Sequence, residues 1–420
     1  MHRTVVSFVA ALALFASLGA KAADPKVIRI GALYPLSGPI ASTGLDCKRG
    51  VELAVDIING KYPDLDLPNA KDEGIASLGG AKLEIVFADS KGEPKNGIGE
   101  VERLVTQEHV VAMIGAYQSS VTKTASQAAE RLQIPYVCSD ASSPTLTKAG
   151  FKYFFRASPN DSSFAKDQIN FLKEMKAKGK KIETIAILNE NTEFGSNVAK
   201  EVKAAADAAG FKIVAEISYT NNATDVSSEV GQLIKAKPDV LIHASYITDA
   251  ILFTKTFKEM KFQPTFMLGF AGYIEPAYVP GVQSEGNDIV VRSTFALDLG
   301  KKKPLIAKVA ELFKKKYGVD MSENAARSFT APFVLADALS RAKSTDSAKL
   351  QKAIQETDIP GSQVIYPWPG IKFNPATGQN DLATGILVQI QKGQYVTVWP
   401  FSSAAAEVQW PLRPWGSKDK

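Results

Sequence analysis

Short apolar runs alternate along this chain with longer segments in which apolar residues recur every three or four positions. The short runs predict buried strands, and the longer spacing predicts amphipathic helices. A first set places strands at 27–33, 82–88, 110–115 and 135–138, with helices at 46–58, 97–107 and 119–131.

The same alternation then begins again. Strands are predicted at 184–188, 212–217, 239–243 and 265–268, and helices at 163–176, 195–209, 226–236 and 250–260. Repeated strand–helix units of this length indicate parallel sheets with right-handed crossovers. Two successive sets predict an α/β protein with two doubly wound parallel-sheet lobes.

The last third of the chain has a different pattern. Helices are predicted at 305–317, 325–342 and 347–356. Two strands, 385–392 and 394–399, flank the turn signal Lys392-Gly393, so they predict a hairpin. The segment 401–420 has no regular pattern.

The N-terminus has the pattern of an export signal. Residues 1–22 contain Arg3, an apolar run from Val5 to Leu18 and a small-residue cleavage pattern ending at Ala22. The run is shorter than the roughly 20 apolar residues that span a bilayer, which favours a cleaved signal peptide over an anchor. We therefore expect a periplasmic protein.

Composition and charge narrow the function further. The chain is 45% hydrophobic and 22% charged, which is ordinary for a globular protein. Its net charge of +5 falls to +3 without Arg3 and Lys21, too small an excess to indicate a nucleic-acid partner. Cys47 and Cys138 are the two cysteines, and an oxidising compartment leaves both a disulfide and two buried thiols open.

The sequence indicates no catalytic centre, metal site or cofactor. It lacks a phosphate-binding GxxxxGK[ST] loop, a GxSxG elbow and an HExxH zinc motif. A Ser-His-Asp triad would have to use His109 or His243, and nothing in the sequence favours this.

Small polar loops follow several predicted strands. They occupy residues 37–44, 115–120 and 139–144. Ligands of doubly wound sheets bind beyond the carboxyl ends of the strands, and hydroxyls with free N–H groups at helix N-termini suit an anion. Ser119, which precedes a helix, is suited equally to capping that helix and to binding a carboxylate.

These loops and their surroundings resemble the leucine/isoleucine/valine-binding family of periplasmic proteins, the type I substrate-binding proteins of ABC amino-acid importers. The similarity extends over nearly the whole chain after residue 22. It rests on the segments IGALYPLSG (30–38), GVELAVDIIN (50–59), IGAYQSS (114–120) and ASSPTLT (141–147).

The resemblance implies two lobes joined by a three-crossing hinge that close on a ligand. Lobe 1 is expected to comprise residues 27–156 and 297–383, and lobe 2 residues 157–296 and 384–420. Ser119 and Ser142 would bind the ligand carboxylate, and the backbone at Asp140 and Ala141 would contact its polar head. The remaining expected ligand contacts are Thr43, Tyr117, Phe194, Tyr246, Ala271 and Phe329.

One position departs from the family pattern. Ala271 stands where amino-acid-binding members have an acid that pairs with the ligand ammonium. Since an unpaired buried ammonium is costly, either Asp249 or Glu193 supplies the charge or the ligand has no ammonium. The hypothesis is a carboxylate ligand, aromatic or branched-chain, with ordinary amino acids open. Arg327 is either a second carboxylate anchor or part of a surface salt bridge.

The expected function is capture of a small carboxylate by a monomer and its delivery to a membrane ABC permease. A ligand sensor for a membrane receptor is the alternative, and an exported hydrolase is a weaker one. Binding without turnover would distinguish a receptor from a hydrolase.

Overall fold

The computed structural model describes residues 26–418, so the predicted signal peptide at 1–22 lies outside the described residues. The strands are β1 (Val27–Tyr34), β2 (Lys82–Asp89), β3 (Ala112–Gly115), β4 (Tyr136–Cys138), β5 (Phe154–Arg156), β6 (Thr184–Glu190), β7 (Lys212–Tyr219), β8 (Val240–Ala244), β9 (Phe266–Gly269), β10 (Val290–Ser293), β11 (Asp358–Pro360), β12 (Gly370–Lys372), β13 (Ile386–Gln391) and β14 (Gln394–Trp399).

Helices connect and cover these strands. They are α1 (Ala41–Asn59), α2 (Pro94–Thr106), α3 (Ser119–Arg131), α4 (Asp161–Ala177), α5 (Glu193–Ala208), α6 (Ser227–Ala236), α7 (Ile247–Glu259), α8 (Tyr278–Val282), α9 (Pro304–Tyr317), α10 (Glu323–Ala342) and α11 (Ser347–Gln355).

Two sheets define two lobes. In lobe 1 the order is β2-β1-β3-β4-β5, and every neighbouring pair is parallel. In lobe 2 the order is β14-β13-β10-β9-β8-β6-β7. Strands β6 to β10 pair in parallel, which confirms the predicted doubly wound architecture.

The second sheet ends in an antiparallel pair. β13 pairs antiparallel with β10 and with β14, so lobe 2 is mixed rather than purely parallel. The predicted hairpin turn is present, with Lys392 and Gly393 both at positive φ, as a type I′ turn requires.

The chain passes between the sheets three times. It leaves lobe 1 after β5, returns after β10 to α9 and α10, which pack against α1, and enters lobe 2 again at β13. These passages bring the strand-end loops of the two lobes face to face. Within residues 26–418, no helix combines the length and the apolar character needed to cross a bilayer.

Candidate functional site

The loops that follow β3 and β4 meet at the edge of the lobe 1 sheet. Ser119 is the first residue of α3, and the Ser143 N–H donates to its Oγ at 3.3 Å. Ser142 lies in the same loop as Ser143, and both Ser119 and Ser142 are buried. The structure therefore brings together the two predicted carboxylate-binding serines at a helix N-terminus.

Two buried arginines hold the loop that contains Ser142. Arg327 donates to the Ser139 carbonyl at 2.8 Å and to the Asp140 carbonyl. Arg156 donates to the Ser143 carbonyl at 2.6 Å. Arg327 is neither a surface residue nor a free anchor, because its guanidinium is committed to backbone carbonyls and to the buried Glu323, 3.6 Å away.

The side chain of Asp140 points into lobe 1 rather than into the cleft. It accepts hydrogen bonds from the Tyr34 hydroxyl at 3.1 Å and from the Ser328 hydroxyl at 2.8 Å. Burial raises the pKa of Asp140 to about 6, although Arg327 and both hydroxyls favour the charged form. The Asp140 carboxylate therefore fixes that loop to the core of lobe 1, and the Asp140 carbonyl is held by Arg327.

Aromatic rings from both lobes form a wall beside the serines. The Tyr246 ring lies between Tyr117 of lobe 1, with centroids 5.9 Å apart, and Phe194 of lobe 2, with centroids 5.2 Å apart. All three rings are buried. The Tyr246 hydroxyl is buried beside Thr192 and forms no hydrogen bond of normal geometry among the described residues. Three of the four predicted aromatic contacts thus meet where the lobes face each other.

The sequence analysis missed an acid at this wall, Glu275. Tyr117 donates to Glu275 Oε1 at 2.7 Å, and the Thr43 hydroxyl donates to Oε2. Burial raises the pKa of Glu275 to about 7, whereas the two hydroxyls lower it. Both donors belong to lobe 1 and Glu275 belongs to lobe 2, so these hydrogen bonds cross the cleft.

A short turn explains how Glu275 reaches this position. The expected acidic position, Ala271, begins a one-turn 3₁₀ helix, Ala271–Tyr273, directly after β9. Glu275 follows the end of that turn. One feature of the sequence could have identified Glu275. It is an acid in the loop after a strand, four residues beyond Ala271, where the acid was expected.

Neither of the acids proposed from the sequence occupies the Glu275 position. Asp249 accepts the backbone N–H groups of Asn222 and Ala223 at 3.2 and 3.1 Å, in the loop after β7. Glu193 instead bridges the lobes, bonding to Lys123 at 2.9 Å and to the Ser143 hydroxyl at 3.2 Å.

A second buried acid lies beside Ser142. The Asp161 N–H donates to the Ser142 carbonyl at 2.9 Å. The Ser142 hydroxyl lies beside the Asp161 carboxylate, although neither carboxylate oxygen forms a hydrogen bond of normal geometry within residues 26–418. Burial raises its pKa to about 6, against the lowering effect of the Ser142 hydroxyl and of nearby arginines.

Phe329 is the predicted contact that the structure does not bring to the aromatic wall. Its ring packs on Phe333, with centroids 4.8 Å apart, and lines a small cavity of lobe 1 together with Leu67 and Ile365. Phe329 is therefore a core residue of α10 and its surroundings.

His2 lies outside the described residues, and the other two histidines and the two cysteines lie away from the aromatic wall or in structural contacts. Both ring nitrogens of His243 contact tyrosine hydroxyls, Tyr219 at 3.1 Å and Tyr273 at 2.6 Å, and burial lowers its pKa to about 3. His109 is exposed after α2. Cys47 and Cys138 are buried free thiols, so of the two alternatives the structure has the thiols.

Comparison with known families gives one match over most of the chain. A family model described as "Periplasmic binding protein" matches residues 27–394. The Leu/Ile/Val-binding protein homolog 7 of Brucella suis is 30% identical over 412 residues, which cover 96% of this chain and 98% of the relative.

Solved structures share the fold. The branched-chain amino acid transporter substrate binding protein LivJ from Streptococcus pneumoniae, in complex with isoleucine, superposes with a TM-score of 0.74 at 21% identity, covering 92% of this chain and all of that one. A solute binding protein of an ABC transporter from R. palustris, in complex with benzoate, gives 0.73 at 18% identity, covering 92% and 97%.

Proposed function

The chain belongs to the periplasmic binding protein family, and on this basis we propose that it captures a small carboxylate between its two lobes and delivers it to an ABC importer. Ser119 and Ser142 supply hydroxyls for the carboxylate, and the N-terminus of α3 adds a favourable dipole. Tyr117, Tyr246 and Phe194 enclose the rest of the ligand.

The observation on which this proposal depends is the meeting of the two serine loops with an aromatic wall built from both lobes. A ligand held there contacts lobe 1 and lobe 2 together, so its binding favours the closed arrangement. The ligands of two structural neighbours, isoleucine and benzoate, both have a carboxylate and an apolar body, which supports the proposed ligand class.

The cellular setting is part of the same proposal. The export signal expected at residues 1–22 and the family description support a periplasmic location for the mature protein. We propose that a monomer presents the closed lobes to a membrane permease and that no reaction occurs in the cleft. The lobe boundaries, 27–156 with 297–383 and 157–296 with 384–420, belong to this proposal as well.

Calorimetric titration tests the proposal directly. Protein unfolded and refolded to remove retained solutes is titrated with leucine, isoleucine and benzoate. Ser142→Ala should weaken binding of the best ligand about 10- to 100-fold, since a hydrogen bond to a charged group contributes about 1.5–3 kcal/mol.

A matched serine on α3 serves as the control. The Ser126 hydroxyl is bonded within the helix, to the Lys123 carbonyl at 3.1 Å, so Ser126→Ala should leave the affinity unchanged. Equal affinity in the Ser142→Ala and unmodified proteins would exclude the proposed carboxylate site.

A further inference from the structure

The cleft has two polar ends, one at Ser119 and Ser142 and the other at Thr43 and Glu275. The strand order of lobe 1 separates them. Ser142 follows β4, Tyr117 follows β3, and Thr43 lies at the start of α1, after β1. In the sheet these strands are neighbours in the order β1-β3-β4. Because adjacent strands are about 4.8 Å apart, β1 and β4, which precede the loops of Thr43 and Ser142, lie about 10 Å apart in the sheet.

Glu275 marks the end that lies away from the serines. Its two carboxylate oxygens accept from Thr43 and Tyr117, which belong to the loops after β1 and β3. Arg292 is the cation that acts on the Glu275 carboxylate electrostatically, but within the described part of the chain its ion pair is with Glu323. Each carboxylate oxygen can accept a further hydrogen bond, since a carboxylate has about four acceptor sites.

The aromatic wall connects with both ends, because Tyr117 lies two residues before Ser119 in the loop after β3. Tyr117 belongs both to the wall and to the Glu275 contact. The Tyr246 hydroxyl, on the same wall, is buried beside Thr192 and forms no hydrogen bond of normal geometry within the described residues. A ligand body lying along Tyr117 and Tyr246 would therefore reach from the serine hydroxyls towards Glu275.

We propose that Glu275 determines ligand specificity, and that the ligand is a carboxylate with a flat or apolar body and a hydrogen-bond donor at its opposite end. This inference rests on the proposed carboxylate-binding function and names its ligand class. The carboxylate meets Ser119 and Ser142, the body packs on Tyr117, Tyr246 and Phe194, and the terminal hydroxyl or ammonium donates to Glu275.

Two matched pairs of probes test this assignment. Benzoate and 4-hydroxybenzoate form one pair, and hexanoate and 6-hydroxyhexanoate form the other. Within each pair the members differ by the terminal donor alone. In at least one pair the donor-bearing member should bind at least about tenfold more tightly, because a hydrogen bond to a buried carboxylate is stronger than one between neutral groups.

Variants of Glu275 test whether the preference for a terminal donor depends on the Glu275 carboxylate. Glu275→Gln keeps one acceptor oxygen and should reduce the preference, and Glu275→Met should abolish it. Glu259→Gln removes the same charge at an exposed position at the far end of α7 and should leave the preference intact. Thermal unfolding of each variant confirms that it folds.

The outcomes separate the inference from the function on which it rests. Equal affinities within both pairs, or a preference that survives Glu275→Met, overturn the assignment of Glu275, while a loss of all binding in Ser142→Ala still supports carboxylate capture. Leucine binding more tightly than both hydroxy acids also overturns it, because the leucine donor lies beside the carboxylate. If no carboxylate binds, both proposals fail.

Discussion

The Tyr117 hydroxyl of lobe 1 donates a hydrogen bond of 2.7 Å to Glu275 Oε1 of lobe 2. The Tyr117 ring also packs against Tyr246 of lobe 2. One side chain therefore contributes to the ligand wall and to the contact between the lobes. If the ligand binds at this wall as proposed, ligand binding and lobe closure should be coupled through Tyr117, since each biases the same arrangement.

The charge of Glu275 should make the effect of its replacement depend on pH. Burial raises the pKa of Glu275 from 4.5 to about 7, so the folded protein retains a proton that the unfolded chain releases between these values. The stability that this retained proton contributes is therefore fully present below pH 4.5. It is lost as the pH rises through 7. Glu275→Gln has no such proton.

We expect the stability of Glu275→Gln, relative to the unmodified protein, to increase between pH 5 and pH 7.5. The change is at most about 3 kcal/mol, because one pKa unit corresponds to about 1.4 kcal/mol. Urea unfolding at several pH values measures it, and the exposed Glu259→Gln variant controls for the lost charge. A stability difference that stays constant or moves the other way would contradict the raised pKa.

Glu193 forms a second contact between the lobes, nearer to solvent. It accepts from the Ser143 and Thr145 hydroxyls and pairs with Lys123 at 2.9 Å, all of which belong to lobe 1. The Lys123 side chain is 50% exposed and that of Glu193 is 16% exposed. Exposed ion pairs contribute about 0–1 kcal/mol, whereas hydroxyl bonds to a charged group contribute more.

Removing the two partners should therefore have unequal effects on ligand affinity. We expect Glu193→Ala to weaken binding about tenfold and Lys123→Ala less than about fivefold, because closure depends mainly on the hydroxyl bonds. Calorimetry gives the affinities, and X-ray scattering with and without ligand gives the degree of closure. An equal or larger effect of Lys123→Ala would assign the contact to the ion pair instead.

Much of the fold was predictable because local patterns determine it. The predicted helix over 119–131 coincides with α3, and the hairpin at Lys392-Gly393 is present. The short strands β5 and β10 were missed. Each includes a buried arginine, Arg156 or Arg292, which interrupts the apolar pattern and is compensated by partners distant in sequence.

Those residues of the candidate site that come just after strands were predictable from the sequence. Ser119, Tyr117 and Tyr246 come directly after strands, and parallel strands place such residues at one edge. Glu275 was not predictable in this way. Its position depends on the turn after β9 and on hydroxyls from the other lobe, and no local spacing encodes either of them.

The contact between α1 and α10 helps to position the serine loop of the candidate site. Gly50 of α1 packs so closely on α10 that an added Cβ would overlap the Ala325 carbonyl oxygen. Two residues further along α10, Arg327 holds the Ser139–Ser142 loop through its carbonyls. Pushing the helices apart at Gly50 should therefore disturb both stability and the serine loop.

Gly50→Ala should lower the free energy of unfolding by about 1–3 kcal/mol, the usual cost of overpacking, and should also weaken carboxylate binding. The matched control is Gly99→Ala on the exposed face of α2, where an added Cβ meets nothing within 4 Å. That variant should gain about 0.5–1 kcal/mol through helix propensity and bind normally. Urea unfolding and calorimetry measure both effects. If Gly50→Ala binds as tightly as Gly99→Ala, the α1–α10 contact does not position the serine loop.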